Sequence, residues 1–364
     1  MSLSIAIVGL PNVGKSTLFN ALTDSSVLAA NYPFATIEPN TGIVPVPDPR
    51  LNALSELYHG APIKPATVTF VDVAGLVKGA SEGEGLGNQF LSHIRATNAI
   101  VQVVRAFHDD TVLTDEATGT HDPAKDIDII NTELVLADLQ TVEKRLPRVE
   151  KEAKANPKLA GQLETLQQIR TMLDDGKPIF SDAKLLEASV EFSDLFLLTA
   201  KPIIYVFNVD EAGLSDESLH KTLGELVAPA QSLFICAKLE DELRSLDLGD
   251  RSELLESYGQ TEPGLNQLIR TAYETLGLQS YLTAGDKEVR AWTIKHGSTA
   301  PQAAGVIHGD FERGFIAADV VDNDDLITTG SLSAARAAGK LRTEGKTYVM
   351  QPGDVVEFKF NVSK

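Results

Sequence analysis

The sequence predicts an α/β chain built on a doubly wound, mostly parallel sheet, interrupted once by an inserted helical arm and followed by a small α+β region. Three observations lead there. Apolar, β-branched runs recur at Ser4 to Val8, Thr67 to Val73, Ala99 to Val104, Pro202 to Val209 and Leu233 to Cys236, and near-continuous apolar strands of this kind are buried on both faces of a parallel sheet. Between Asp126 and Ala200 the period becomes helical. From about Tyr281 onward short alternating strands take over, such as Glu288 to Ile294 and Val355 to Phe360, with turns expected at Gly309-Asp310 and Gly353-Asp354.

The helical segment has its own logic. Val135, Leu139, Val142, Leu146, Val149 and Ala153 are spaced alternately four and three apart, the seam of an antiparallel coiled-coil arm. Asn156-Pro157 is a good turn, after which Leu159, Leu163, Leu166, Ile169 and Leu173 supply the facing seam. Pro147 should kink the first helix, because it lacks the amide hydrogen that the helix ladder needs.

With 364 residues, two or three domains are expected, and 43% hydrophobic and 23% charged residues suit a compact globular chain. No apolar run approaches the length of a membrane span and the first residues carry no basic leader, so a cytoplasmic protein without membrane contact is expected, acting as a monomer. Cys236 is the single cysteine, which excludes an internal disulfide. The net charge of −19 repels nucleic acid at long range, so any RNA contact needs a local basic patch.

Gly9-Leu10-Pro11-Asn12-Val13-Gly14-Lys15-Ser16-Thr17 matches the phosphate-loop pattern G-x-x-x-x-G-K-[ST], between an expected strand and an expected helix. The glycines let backbone N–H groups surround phosphates, Lys15 supplies charge and Ser16 a hydroxyl for magnesium. Asp72-Val73-Ala74-Gly75 ends the strand from Thr67, where Asp72 would serve magnesium and the Gly75 N–H the γ-phosphate. Thr36, in the loop between these elements, could close onto magnesium when a γ-phosphate is present. Leu76 stands where many such enzymes keep a water-orienting glutamine, so no side-chain base is assigned and slow turnover by the protein alone is expected. Asn12 could place its carbonyl oxygen on potassium lying against the phosphates. A phosphate-transferring kinase is disfavoured by the Asp72 and Asn208 motifs; a nucleotide-binding switch with negligible turnover stays open.

The base-reading stretch is Asn208-Val209-Asp210-Glu211, where guanine-binding proteins usually carry Asn-Lys-x-Asp. There the Asp accepts from the guanine N1–H and exocyclic amine. Glu211 is a methylene longer, and Val209 offers a short apolar wall and free backbone groups. These changes lean towards ATP, although glutamate remains an acceptor and a GTPase stays open on these residues alone. Cys236-Ala237-Lys238 looks like the second base-side loop, with backbone contacts from Cys236 and Ala237.

These motifs, with Asn31 to Asn40, Asp72 to Ala80, Arg290 to Ile294 and Gly353 to Val356, resemble the YchF subfamily of Obg-related P-loop ATPases over the whole chain. The resemblance implies a nucleotide-binding domain of residues 1–126 and 200–280, a helical arm of 127–199 and a TGS-like domain of β-grasp type over 281–364. It further implies ATP as ligand, Asn12, Val13, Gly14, Lys15, Ser16 and Thr17 on its phosphates, magnesium on Ser16 and Thr36, and association with the ribosome. Related sequences carry a histidine after the strand Ala99 to Val104; alignment puts Leu113 there, flanked by His108 and His121, so no catalytic histidine is assigned. For the ribosome, the arm carries Lys144, Arg145, Arg148, Lys151, Lys154 and Lys158, of which Lys144, Arg148 and Lys151 are spaced along one helical face, a docking stripe or a solvated face on these residues alone. Arg290, Lys295, Arg336, Lys340 and Arg342 add charge in the last domain. Large-subunit RNA or a ribosomal protein is the expected partner of these two surfaces.

Overall fold

In a computed structural model of the chain, residues 3–24, 40–73, 86–107 and 122–361 are described. Among them are twelve strands: β1 (Ser4–Val8), β2 (Thr41–Pro45), β3 (Ile63–Lys64), β4 (Thr67–Asp72), β5 (Ala99–Arg105), β6 (Ile203–Asn208), β7 (Gln231–Ile235), β8 (Leu278–Gly285), β9 (Glu288–Lys295), β10 (Phe315–Asp322), β11 (Arg342–Glu344) and β12 (Asp354–Phe360). They form two six-stranded sheets in two compact units, one of residues 1–44 and 69–268, the other of residues 45–68 and 269–364.

The first sheet has the order β2-β4-β1-β5-β6-β7, and the pairings β1 with β4, β1 with β5, β5 with β6 and β6 with β7 are all parallel. Every residue of β5 and β6 is buried, as expected of central strands covered by helices on both faces. One covering layer packs Phe90, Leu91 and Ile94 of the helix Leu86–Ala96, with Ile127, Ile130 and Leu134 of a longer helix, onto Ile100, Val104, Tyr205 and Phe207. Parallel order brings the carboxyl ends of β1, β4, β6 and β7 to one edge, the usual ligand position in such sheets.

The longer helix, Pro123–Ala155, starts where Asp122 accepts from the Ala124 N–H with Pro123 in the first turn, and it continues through Pro147. Past Asn156, whose side chain accepts from the Lys158 N–H, the chain returns as the helix Ala160–Asp174. Val135, Val142 and Val149 bury against Leu166, Ile169 and Leu173, with Leu139, Leu146 and Leu163 half-buried alongside, so the arm has a core separate from that of the sheet.

At the root of the arm Asp138 is wholly buried and accepts from Leu198 N (2.8 Å), Thr199 N (2.7 Å) and Thr199 Oγ1 (2.8 Å). Burial pushes its carboxyl above the usual range against the pull of those three donors. Arg95, in the last turn of Leu86–Ala96, donates to Ala137 O (3.2 Å), Thr141 Oγ1 (3.0 Å), Leu195 O (3.4 Å) and Phe196 O (3.3 Å). Lys201 Nζ donates to the carbonyls of Arg95 and Thr97, and burial lowers its pKa to about 8.

The second sheet has the order β11-β10-β12-β8-β9-β3. β8 and β9 form an antiparallel hairpin, β12 runs parallel to β8, and β10 is antiparallel to both β12 and β11, the arrangement of a β-grasp. The helix Ala300–Ile307, opened by a capping box of Thr299 and Gln302, lays Ala300, Ala303 and Ala304 on Tyr281, Phe315 and Val320. Three expectations change here. Gly309-Asp310 is not a turn but the start of the short helix Gly309–Arg313, capped by His308. Residues 45–68, expected within the 1–126 domain, belong to this second unit: β3 pairs with β9 through Ile63 with Val289 and Lys64 with Arg290, and Arg50 donates to the Pro352 carbonyl. The unit also begins at Ile269 rather than 281.

Candidate functional site

The loop after β1 is shaped by three backbone requirements. A Cβ on Gly9 would lie 2.8 Å from the Val103 carbonyl oxygen and 2.9 Å from Val13 Cγ2, so the loop leaves β1 only with glycine there. Asn12 has φ +64°, a left-handed conformation that asparagine tolerates better than most residues, and Gly14 has φ +90°. The helix Lys15–Asp24 follows, turning its first amides and the exposed Ser16 and Thr17 to the edge of the sheet. Lys15 is buried, and its ammonium is paired with the Asp72 carboxylate at the end of β4. Asp72 and the phosphate-loop lysine therefore meet across two strands, which brings together two residues 57 positions apart.

Asn208 ties the base side to this loop. Its Nδ2 donates to Val13 O (2.9 Å) and its Oδ1 accepts from Ala237 N (3.0 Å), all three groups being buried. One amide side chain at the end of β6 thus fixes the loop after β1 and the segment after β7. Gly14 is part of the same fit, since a Cβ there would lie 2.2 Å from Asn208 Nδ2.

The remaining base-side residues are arranged differently from the expected pattern. Val209 is 2% exposed and packs in the sheet core, with its N–H donated to Ile235 O (3.0 Å). It therefore offers neither an apolar wall to the site nor a free amide. Cys236 and Ala237 are buried as well, and burial pushes the Cys236 thiol up. Glu211 is held by Lys238, whose Nζ lies 2.8 Å from Glu211 Oε1. That contact keeps the Glu211 carboxyl below its usual range and the Lys238 ammonium above its own. An open recess of ≈ 600 Å³ lined by Asp210, Glu211, Ala212, Ser215 and Tyr258 adjoins this edge.

The structure thus brings Asn12, Val13, Gly14, Lys15, Ser16, Thr17, Asp72, Asn208, Glu211 and Ala237 to one end of one sheet. Thr36, Gly75, Leu76, His108, Leu113 and His121 lie outside the described residues. Lys238 was legible only as the third residue of the Cys-Ala-Lys loop; its partner is 27 positions away and no local pattern announces the pair. On the arm, Arg148 pairs with Glu152 (2.8 Å) and Arg145 with Asp194 (3.2 Å), whereas among the described residues Lys144, Lys151, Lys154 and Lys158 are exposed and without an ion pair.

A phosphate loop on a parallel sheet, with its lysine on the aspartate of a neighbouring strand and an asparagine bridging to the base side, defines a P-loop nucleoside triphosphate-binding protein. Residues 4–133 match the family described as "50S ribosome-binding GTPase", and residues 278–361 match YchF-GTPase_C, described as "Protein of unknown function (DUF933)". The "Ribosome-binding ATPase YchF" of Bacillus subtilis (strain 168) is 49% identical over 368 residues, covering 100% of each chain, and that of Escherichia coli O157:H7 is 49% identical over 365 residues with the same coverage. Among solved structures, the Schizosaccharomyces pombe YchF GTPase matches with a TM-score of 0.84 and 39% identity, covering 98% of each chain. A GTP binding protein from Pyrococcus horikoshii OT3 matches at a TM-score of 0.60 and 20% identity, covering 99% of this chain and 100% of its own, a likeness of fold alone. The chain belongs to the YchF family of P-loop nucleoside triphosphatases.

Proposed function

We propose that this chain is a cytoplasmic, magnesium-dependent ATPase that takes ATP in preference to GTP and works as a monomer on the large ribosomal subunit. The observation that carries the nucleotide choice is Glu211. A guanine site needs a free carboxylate facing the N1–H and exocyclic amine, and this carboxylate is longer than aspartate and engaged by Lys238. The backbone amides of Asn12 to Thr17 cradle the phosphates, and Lys15 leaves Asp72 to take up their charge. Asn208 holds the loop at its working distance from the base.

The oxygen donors available suit magnesium: the Ser16 hydroxyl, the Asp72 carboxylate and Thr36 would hold it, with Asn12 taking potassium. Bound magnesium would neutralise charge on the β- and γ-phosphates. With Leu76 in place of a glutamine and no histidine at Leu113, turnover by the protein alone is slow, and the Gly75 amide serves the γ-phosphate. The names of the relatives, with the unpaired lysines of the arm, support docking through the arm of 127–199 and the TGS-like C-terminal domain. Titration of ATP and GTP in the presence of magnesium tests the central claim. Tighter GTP binding by the wild type reverses it.

A further inference from the structure

We infer that Lys238, held by its ion pair with Glu211, is a purine-selecting residue that favours adenine over guanine. The inference rests on the ATP reading above and adds the group that enforces it. In guanine sites the acidic residue at this place faces two donors, N1–H and the exocyclic amine. Adenine presents the opposite polarity at N1, an acceptor with no hydrogen. A lone carboxylate at position 211 therefore suits guanine and repels the N1 lone pair of adenine. An ammonium beside it inverts that edge: it takes up one carboxylate oxygen and turns N–H donors towards the base.

The geometry supports this division of labour. Lys238 Nζ lies 2.8 Å from Glu211 Oε1, and the Lys238 side chain is 72% exposed while that of Glu211 is 31% exposed. An ion pair so open contributes little to folding, so stability alone gives it no evident purpose. The nearby groups are otherwise committed: Val209 N donates to Ile235 O and Ala237 N to Asn208 Oδ1. Ala237 N is then not free to donate to a purine 6-keto oxygen, which removes a second guanine contact. Lys238 stands one residue beyond Ala237 in the first turn of the helix Ala237–Leu243, which fixes its backbone beside the base-side segment.

The test is competitive titration of ATP and GTP, with magnesium, against wild type, Lys238→Met, Lys238→Arg, Glu211→Gln and the Lys238→Met, Glu211→Gln double variant, with thermal melts as the folding control. In wild type ATP binds more tightly. Lys238→Met leaves Glu211 as a free acceptor, so the ATP-to-GTP preference falls about tenfold, largely by a gain in GTP affinity. Lys238→Arg retains the wild-type ratio. In the Glu211→Gln background the lysine change no longer raises GTP affinity, because the carboxylate it shields is gone. If Lys238→Met folds normally and both affinities keep the wild-type ratio, Lys238 is no selector and the inference is overturned while the ATP reading stands. A wild-type preference for GTP overturns the ATP reading itself, and the inference with it.

Discussion

Asn208 is where a single side chain carries the most of the site. Asn208→Ala removes the donor to Val13 O and the acceptor for Ala237 N, both buried. A buried group left without its partner costs about 1–3 kcal/mol; two such groups, with the adjoining loops relaxing around the lost side chain, should cost about 2–4 kcal/mol of stability. If about 2 kcal/mol is needed to re-order the two loops on binding, ATP affinity falls roughly thirtyfold. Gly14→Ala attacks the same fit from the other side, because its Cβ would lie 2.2 Å from Asn208 Nδ2. In the Asn208→Ala background that clash disappears, and what remains is the left-handed strain of about 1–2 kcal/mol. Urea denaturation and ATP titration of the two single variants and the double variant form a cycle in which the penalties should be clearly less than additive. Strict additivity, or an Asn208→Ala protein within about 0.5 kcal/mol of wild type, would refute the bridging argument.

Asp138→Asn should lower stability by at least about 2 kcal/mol in urea, since the amide must turn a donor towards at least one of the Leu198 and Thr199 donors. Glu240, 5% exposed and accepting from the Gly264 N–H at 2.6 Å, has its pKa pushed up to about 7 by burial. A carboxyl raised in the folded state contributes stability that is fully present below the unfolded value of 4.5 and lost as pH rises through about 7. Wild type should therefore lose up to about 3 kcal/mol between those limits, and Glu240→Gln should flatten the profile; equal slopes for the two proteins would contradict this. Arg148→Glu with Lys151→Glu should reduce co-sedimentation with ribosomes, most visibly at low salt. Pelleting equal to wild type at every salt level would leave the stripe a solvated helix face. Exchange of potassium for sodium chloride at matched ionic strength should slow ATP turnover severalfold if Asn12 holds the cation, and equal rates would remove that role.

The phosphate loop and the parallel sheet were legible because their determinants are local: glycines at fixed offsets, a lysine at a helix start, and strands with near-continuous apolar, β-branched runs. The arm was legible for the same reason, its four-three spacing reappearing as the buried seam of Val135, Val142 and Val149. What escaped is non-local. β3 has only two residues, too few for a periodic signal, yet its pairing with β9 takes residues 45–68 into the second unit. The base-reading motif by itself places Val209 on the binding surface. Its side chain, one residue past the end of β6, instead packs into the core of the sheet, and its amide is used by Ile235. The Lys238–Glu211 pair joins the segment after β6 to the first turn of the helix after β7, which no short sequence window contains together.

The knot of Arg95, Asp138 and Lys201 fixes the arm to the end of Leu86–Ala96, a helix that follows the Asp72 strand in the chain. Mechanically that makes the arm a pointer with a stiff pivot. From Asp138 to Ala155 the first helix rises about 25 Å at 1.5 Å per residue, so each degree of rotation at the pivot sweeps the tip through roughly 0.4 Å. A tilt of about ten degrees, no more than a small repacking of one helix end, would carry the Asn156-Pro157 turn by about the width of a side chain.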